Sequence, residues 1–121
     1  MSRIKRECLP SKEREDYVSR VRQRGVTFVA ERQVNRYIDE FLRFRASIDR
    51  PNLRDLSSED LLAYARRLER SGLKFVTART KLMIAAAWCR WLFQSGRVKT
   101  NAAEGLNASG LLKRMRGRPS G

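Results

Sequence analysis

Apolar residues recur at helical spacing in four stretches of the chain, and no stretch alternates with the two-residue period of a strand. The pattern predicts an all-α protein. A first helix over residues 11–24 places Tyr17, Val18 and Val21 on one side, with Ser11 as its N-cap and Gly25 as its terminator. The second opens near Thr27 and sets Val34, Tyr37, Ile38, Phe41, Phe44 and Ile48 at offsets of 3 and 4, which makes one core-facing stripe. It ends at Arg50-Pro51-Asn52, because the residue before a proline is pushed out of the helical region. Ser57-Ser58-Glu59-Asp60 reads as a capping box with Asp60 where Glu or Gln is usual, and the third helix carries Leu61, Leu62, Ala65 and Leu68 to a stop at Ser71-Gly72. The fourth covers residues 76–95, with Thr77 as its cap and Gly96 as its C′ residue. Residues 82–89 are apolar nearly all round, so this helix is expected at the hub of the core, enclosed by the others. A short turn starts at Asn101 as N-cap and runs through Ala102, Ala103 and Glu104 to Leu106. Residues 111–121 have few apolar groups to bury and are expected to be loose. The chain thus divides into a flexible basic leader (1–10), one four- to five-helix bundle (11–107) and a flexible basic tail or interdomain linker (108–121).

Composition sharpens this picture. With 121 residues, 41% hydrophobic and 33% charged, the chain is one globular domain, which excludes a disordered polymer, a collagen and a membrane span. Lys+Arg number 27 against 13 Asp+Glu, for a net charge of +14. Of those cations 21 are Arg, whose planar fork pairs bidentately with phosphate, so nucleic acid is the first partner to consider. The alternative is a basic surface with no specific partner. Both ends contribute: residues 1–24 carry +4, residues 25–110 carry +6 and residues 111–121 carry +4.

Histidine is absent, which removes the commonest acid–base catalyst from this chain. Cys8 and Cys89 form neither a disulfide framework nor a zinc set, and Cys89 reads as a small core residue. No metal or cofactor is expected. Residues 1–16 are charged almost throughout and lack the apolar run of a signal peptide, so a cytoplasmic protein without a membrane partner is expected.

Catalytic constellations are missing as well. Tyr17, Tyr37 and Tyr64 sit at apolar or boundary positions and read as packing residues, and no Gly-rich phosphate loop or paired-carboxylate motif is present. The chain is therefore expected not to be an enzyme by itself. The basic residues are better candidates for function. Arg32, Arg36 and Arg43 form one stripe opposite the core face of the second helix, with Asn35 beside it. Either that stripe faces DNA, or it is tied up in intrahelical pairs of Asp39 with Arg43 and Arg36 with Glu40. At the start of the fourth helix, Lys74, Thr77, Arg79 and Lys81 gather where free amides and the positive dipole end favour phosphate, and no acid lies between Arg70 and Arg90. Arg97 and Lys99 follow its far end, as a grip on a second backbone segment or as dipole partners. In the tail, Arg114 and then Arg116-Gly117-Arg118-Pro119 resemble the core of an AT-hook, an extended minor-groove reader; a plain basic tail is the alternative.

Several of these segments occur in a recognisable order. They are Arg24-Gly25-Val26-Thr27, Arg36-Tyr37-Ile38-Asp39-Glu40-Phe41, Leu56-Ser57-Ser58-Glu59-Asp60-Leu61 with Tyr64, and Gly72-Leu73-Lys74 with Thr77. Trp91-Leu92-Phe93, Gly96-Arg97-Val98 and Asn101-Ala102-Ala103-Glu104-Gly105-Leu106 follow. In this order and spacing, over most of the chain, they resemble the SAM-like core-binding domain of tyrosine recombinases (phage integrases). Ala102 stands where that family usually has proline. The resemblance implies a helical module forming half of a clamp on duplex DNA, its second and fourth helices against the major groove, during site-specific recombination or integration. In the family, cutting is done by a separate catalytic domain whose residues this chain does not contain. It also implies a prokaryotic, phage or mobile-element setting, and other recombinase subunits as partners. Two other classes remain open at this stage: a free-standing DNA-binding regulator or decoy, or an RNA binder, with no role in recombination; and an interaction protein that docks a partner through Trp88 or Trp91.

Overall fold

The structure, a computed structural model, describes residues 11–25, 28–49, 52–107 and 110–112. Four α-helices carry the fold: α1 (Ser11–Gln23), α2 (Phe28–Ser47), α3 (Ser58–Arg70) and α4 (Phe75–Gln94), with a 3-10 turn at Leu53–Asp55 between α2 and α3. No strand occurs among the described residues. The all-α expectation holds, and α4 packs against each of the other three helices.

The hub position of α4 follows from its composition. Ala78, Leu82, Ala85, Trp88, Cys89 and Leu92 are fully buried, and the alanines among them let neighbouring helices approach closely. Phe41 of α2 meets Tyr64 of α3 at 5.0 Å between ring centroids and Trp88 of α4 at 6.4 Å, both edge to face. This aromatic trio joins three helices in a geometry that adds to the burial itself. The enclosure of α4 is incomplete, however. Val76 and Met83 are 63% and 48% exposed, so a solvent face runs along the side opposite Leu82 and Ala85.

Helix ends match the chain's punctuation in most places. Gly96 adopts φ 77°, Arg97 N–H donates to Leu92 O at 2.9 Å and Gly96 N–H to Phe93 O at 3.0 Å, the paired bonds of a Schellman stop. At the start of α3 the Asp60 carboxylate accepts from the Ser57 amide at 2.8 Å and closes the capping box. Asn101 accepts from the Ala103 amide at 3.1 Å, and Ala102 and Ala103 beyond it are buried. Three expectations need correction. Thr77 does not cap α4: Lys74 is the N-cap and its carbonyl accepts the Ala78 amide at 3.0 Å, which puts Thr77 within the first turn. Ile48 is 42% exposed rather than in the core, because α2 ends at Ser47 and Asp49 turns into the left-handed region at φ 64°. The core also runs past residue 107: residues 110–112 are helical, Asn107 accepts from the Gly110 amide at 3.0 Å, and Leu112 is fully buried. The leader at 1–10, the α2 start at Thr27 and the Arg50-Pro51 stop lie outside the described residues.

One buried polar contact was not foreseen. Arg45 lies on the core face of α2, fully buried, with its guanidinium 3.5 Å from the Asp60 carboxylate and donating to Asn52 O at 3.2 Å. Asp60 thus caps α3 and faces a buried cation together. Asp60→Ala is expected to lower unfolding free energy by about 3 kcal/mol, because it strands a buried charge and opens the cap. Urea denaturation checks this, and a loss below about 1 kcal/mol would show the pair to be dispensable.

Candidate nucleic-acid interface

The α2 stripe forms as one exposed face. Arg32, Asn35, Arg36 and Arg43 all point to solvent, with Arg36 and Arg43 side chains 69% and 66% exposed. Each of the latter two has an acid one turn away. Arg43 bonds Asp39 at 2.7 Å, and Asp39 also receives Arg14 of α1 at 2.6 Å. Arg36 lies 3.7 Å from Glu40 and its guanidinium stands 5.2 Å from the Tyr37 ring centroid. The intrahelical pairs are therefore present. At such exposure solvent screens each pair, so it holds its arginine only weakly against a stronger anion.

The cluster at the start of α4 divides. Lys74, Thr77 and Lys81 occur at offsets of 3 and 7 and share one side of the helix. Arg79 and Lys81, two residues apart, diverge by about 160° around the axis, so Arg79 belongs to another face. Lys81 leans onto α2, where its ammonium donates to Glu40 at 2.6 Å and stands 5.1 Å from the Tyr37 ring centroid; its side chain is 14% exposed. Lys74 is exposed.

Arg97 and Lys99 are not brought to this place. They follow the opposite end of α4, about 30 Å from Lys74 along a 20-residue helix. Arg97 bonds Asp16 of α1 at 2.7 Å and stacks 4.5 Å from the Trp91 ring centroid, while Trp91 packs on Tyr17 at 5.4 Å. That is a seam between α1 and α4. Trp88 is fully buried and donates to Glu13 O at 3.4 Å, so the two tryptophans pack the bundle. Arg114, Arg116 and Arg118 lie outside the described residues.

Between α2, the end of α3 and the start of α4 lies an open groove of about 370 Å³. Phe44, Tyr64, Leu68 and Leu73 supply its apolar surface, and Arg43, Arg67 and Lys81 bring three cations against one carboxylate, Glu40. Arg67 had not been singled out. Tyr64, Arg67 and Ser71 recur at offsets of 3 and 4, so the spacing alone makes them a column on α3, and the docking of α3 on α2 brings that column to the groove. The Tyr64 hydroxyl is buried and has no hydrogen-bond partner among the described residues. Burial pushes it well above the ordinary tyrosine range, and the Glu40 carboxylate and Tyr37 push the same way. Burial likewise raises the Cys89 thiol to about 12, which keeps it neutral and unreactive. No group of three or more potential metal ligands occurs among the described residues, and no helix there is long and apolar enough to cross a membrane. Comparison with protein-family models, with curated proteins and with solved structures finds no match for this chain.

Because Tyr64 and Cys89 hold their protons more tightly folded than unfolded, the folded state binds more protons at alkaline pH. Stability should be level with respect to these groups below pH 8 and fall as pH rises through the unfolded thiol and phenol range, from about 9 upward. Urea midpoints at pH 8 and pH 10.5 test the sign. Tyr64→Phe should shrink the alkaline loss and, at pH 7, leave stability unchanged or higher by about 1 kcal/mol, since it deletes a buried hydroxyl that lacks a partner. A marked loss at pH 7 would contradict this.

Proposed function

We propose that this protein binds duplex DNA as a non-catalytic helical module of the type found in the core-binding domain of tyrosine recombinases. On this reading it holds a recombination or integration site in the cytoplasm of a prokaryotic host, phage-infected or carrying a mobile element, while a separate catalytic domain acts on the DNA. The observation that carries the proposal is that Arg43 of α2, Arg67 of α3 and Lys81 of α4 line one groove, with Arg36 sharing Glu40 with Lys81 and the exposed Lys74 on the same helical face as Lys81 at an offset of seven. Five cations from three helix regions, in a chain of net charge +14, have the sign that a phosphate backbone calls for. The order of sequence segments resembling that family supports the same reading independently. The exposed Arg43 and Arg36 can exchange Asp39 and Glu40 for phosphates at little cost.

Affinity for duplex DNA should fall linearly on a log–log plot against salt, with a slope of about −4.5 if all five cations meet phosphates. Arg43→Ala should reduce that slope by about 0.9. Glu40→Gln, which releases Lys81 and Arg36 from their carboxylate, should tighten binding by roughly fivefold. Structured RNA should compete poorly, because its A-form grooves differ in shape. Fluorescence anisotropy with labelled oligonucleotides measures all four, and a flat salt response would refute the proposal.

A further inference from the structure

We propose that the groove between α2, α3 and α4 seats one unpaired nucleotide of the bound DNA, its base against the apolar floor and its phosphate among the rim cations. This rests on the DNA-binding reading above and goes a step further, because a fully paired duplex presents only its backbone and groove edges and cannot fill such a site. The size is right: about 370 Å³ falls in the range of pockets that enclose small ligands. Its chemistry is two-sided. Phe44 is half-buried, tilts against Tyr64 at 5.4 Å between centroids and lines the groove together with Leu73, so an aromatic ring is present for a base to stack on. Arg43, Arg67 and Lys81 line the same cavity and offer charge to the attached phosphate. An acidic peptide would satisfy the cations, but its carboxylate side chains bring no flat ring for the floor.

The test uses the full chain and three labelled DNA duplexes of equal length: one perfectly paired, one with a single bulged nucleotide, and one with an abasic residue at the bulge. Wild-type protein should bind the bulged duplex about tenfold more tightly than the paired one, the weight of one stacked base. The abasic bulge, which keeps the bend and the phosphate but lacks the base, should lose most of that preference. Leu73→Trp, which fills the groove, and Phe44→Leu, which removes the stacking ring but keeps apolar volume, should each bring the ratio near one while affinity for the paired duplex stays unchanged. Equal wild-type affinity for paired and bulged duplexes overturns the groove assignment and leaves duplex binding standing. Preference that survives both substitutions, or is matched by the abasic bulge, also overturns it. Failure to bind any of the three duplexes removes the DNA reading itself.

Discussion

The bundle is organised around a buried cation. Arg45 occupies a position on the core stripe of α2, four residues beyond Phe41, and a guanidinium there cannot remain without hydrogen-bonding partners. Asp60 and the Asn52 carbonyl supply them, one from the first turn of α3 and one from the link between α2 and α3. A hydrophobic contact would tolerate sliding by a residue; a buried ion pair that also serves as a helix cap does not. The constraint sets the position of α3 along α2. From that register it follows that Tyr64 meets Phe41 and Phe44, and that Arg67 and Ser71 come out beside Arg43 and Ser47. The groove is a consequence of the cap.

Charge is distributed unevenly over the two helices that flank α1. Two of the three α2 carboxylates serve two cations each: Asp39 takes Arg14 and Arg43, and Glu40 takes Arg36 and Lys81, while Glu31 takes Arg22 of α1. One member of each pair of contacts joins helices, α1 to α2 through Arg14 and α4 to α2 through Lys81, while the other stays on α2 and is mostly exposed. The interhelical cation in each case is the more buried one. The acids therefore hold the bundle together with one partner and lightly tether a solvent-facing arginine with the other. α4 itself has no acid along its 20 residues, so any cation on it that is neutralised must be neutralised by a neighbour.

How far the sequence alone leads depends on which physical signal is involved. Four helices, the glycine stops of α1, α3 and α4 and the hub role of α4 are legible because periodicity and punctuation are local. The cap of α4 was misplaced because Thr is a good cap by composition, whereas Lys74 takes the position through its extended backbone, without any side-chain bond. Leu112 was missed because a lone pair of leucines before a basic tail shows no period, although it closes the core from outside the four main helices. Arg45 was the more recoverable miss: it continues the series Val34, Ile38, Phe41 at offsets of 4, 3 and 4, and a charge on a core stripe calls for a buried counter-charge. The α2 stripe was legible as a face, yet its pairing state was not, since spacing permits the pairs without deciding whether they form. Arg79 and Lys81 were grouped by proximity in sequence when helical geometry sends them apart. Arg67 escaped because its relevance arises only when α3 is docked on α2.

Those docked positions also explain why Glu40 matters more than its single charge. It sits on the line where α2, α3 and α4 come together, touching Lys81 and Arg36 and lining the groove. An anion held between cations from two helices is the arrangement a phosphate would adopt, so Glu40 stands where part of a nucleic-acid backbone would be expected on the proposed reading. Its carboxylate holds the Lys81 ammonium against α2, and on that reading it would compete with the nucleic acid for it. On that reading a backbone phosphate, with a charge and two anionic oxygens comparable to a carboxylate, would compete for the exposed Arg36 more readily than for the part-buried Lys81. On the proposed reading the groove would take up its ligand from the open side, with Phe41 and Trp88 of the aromatic core outside its lining.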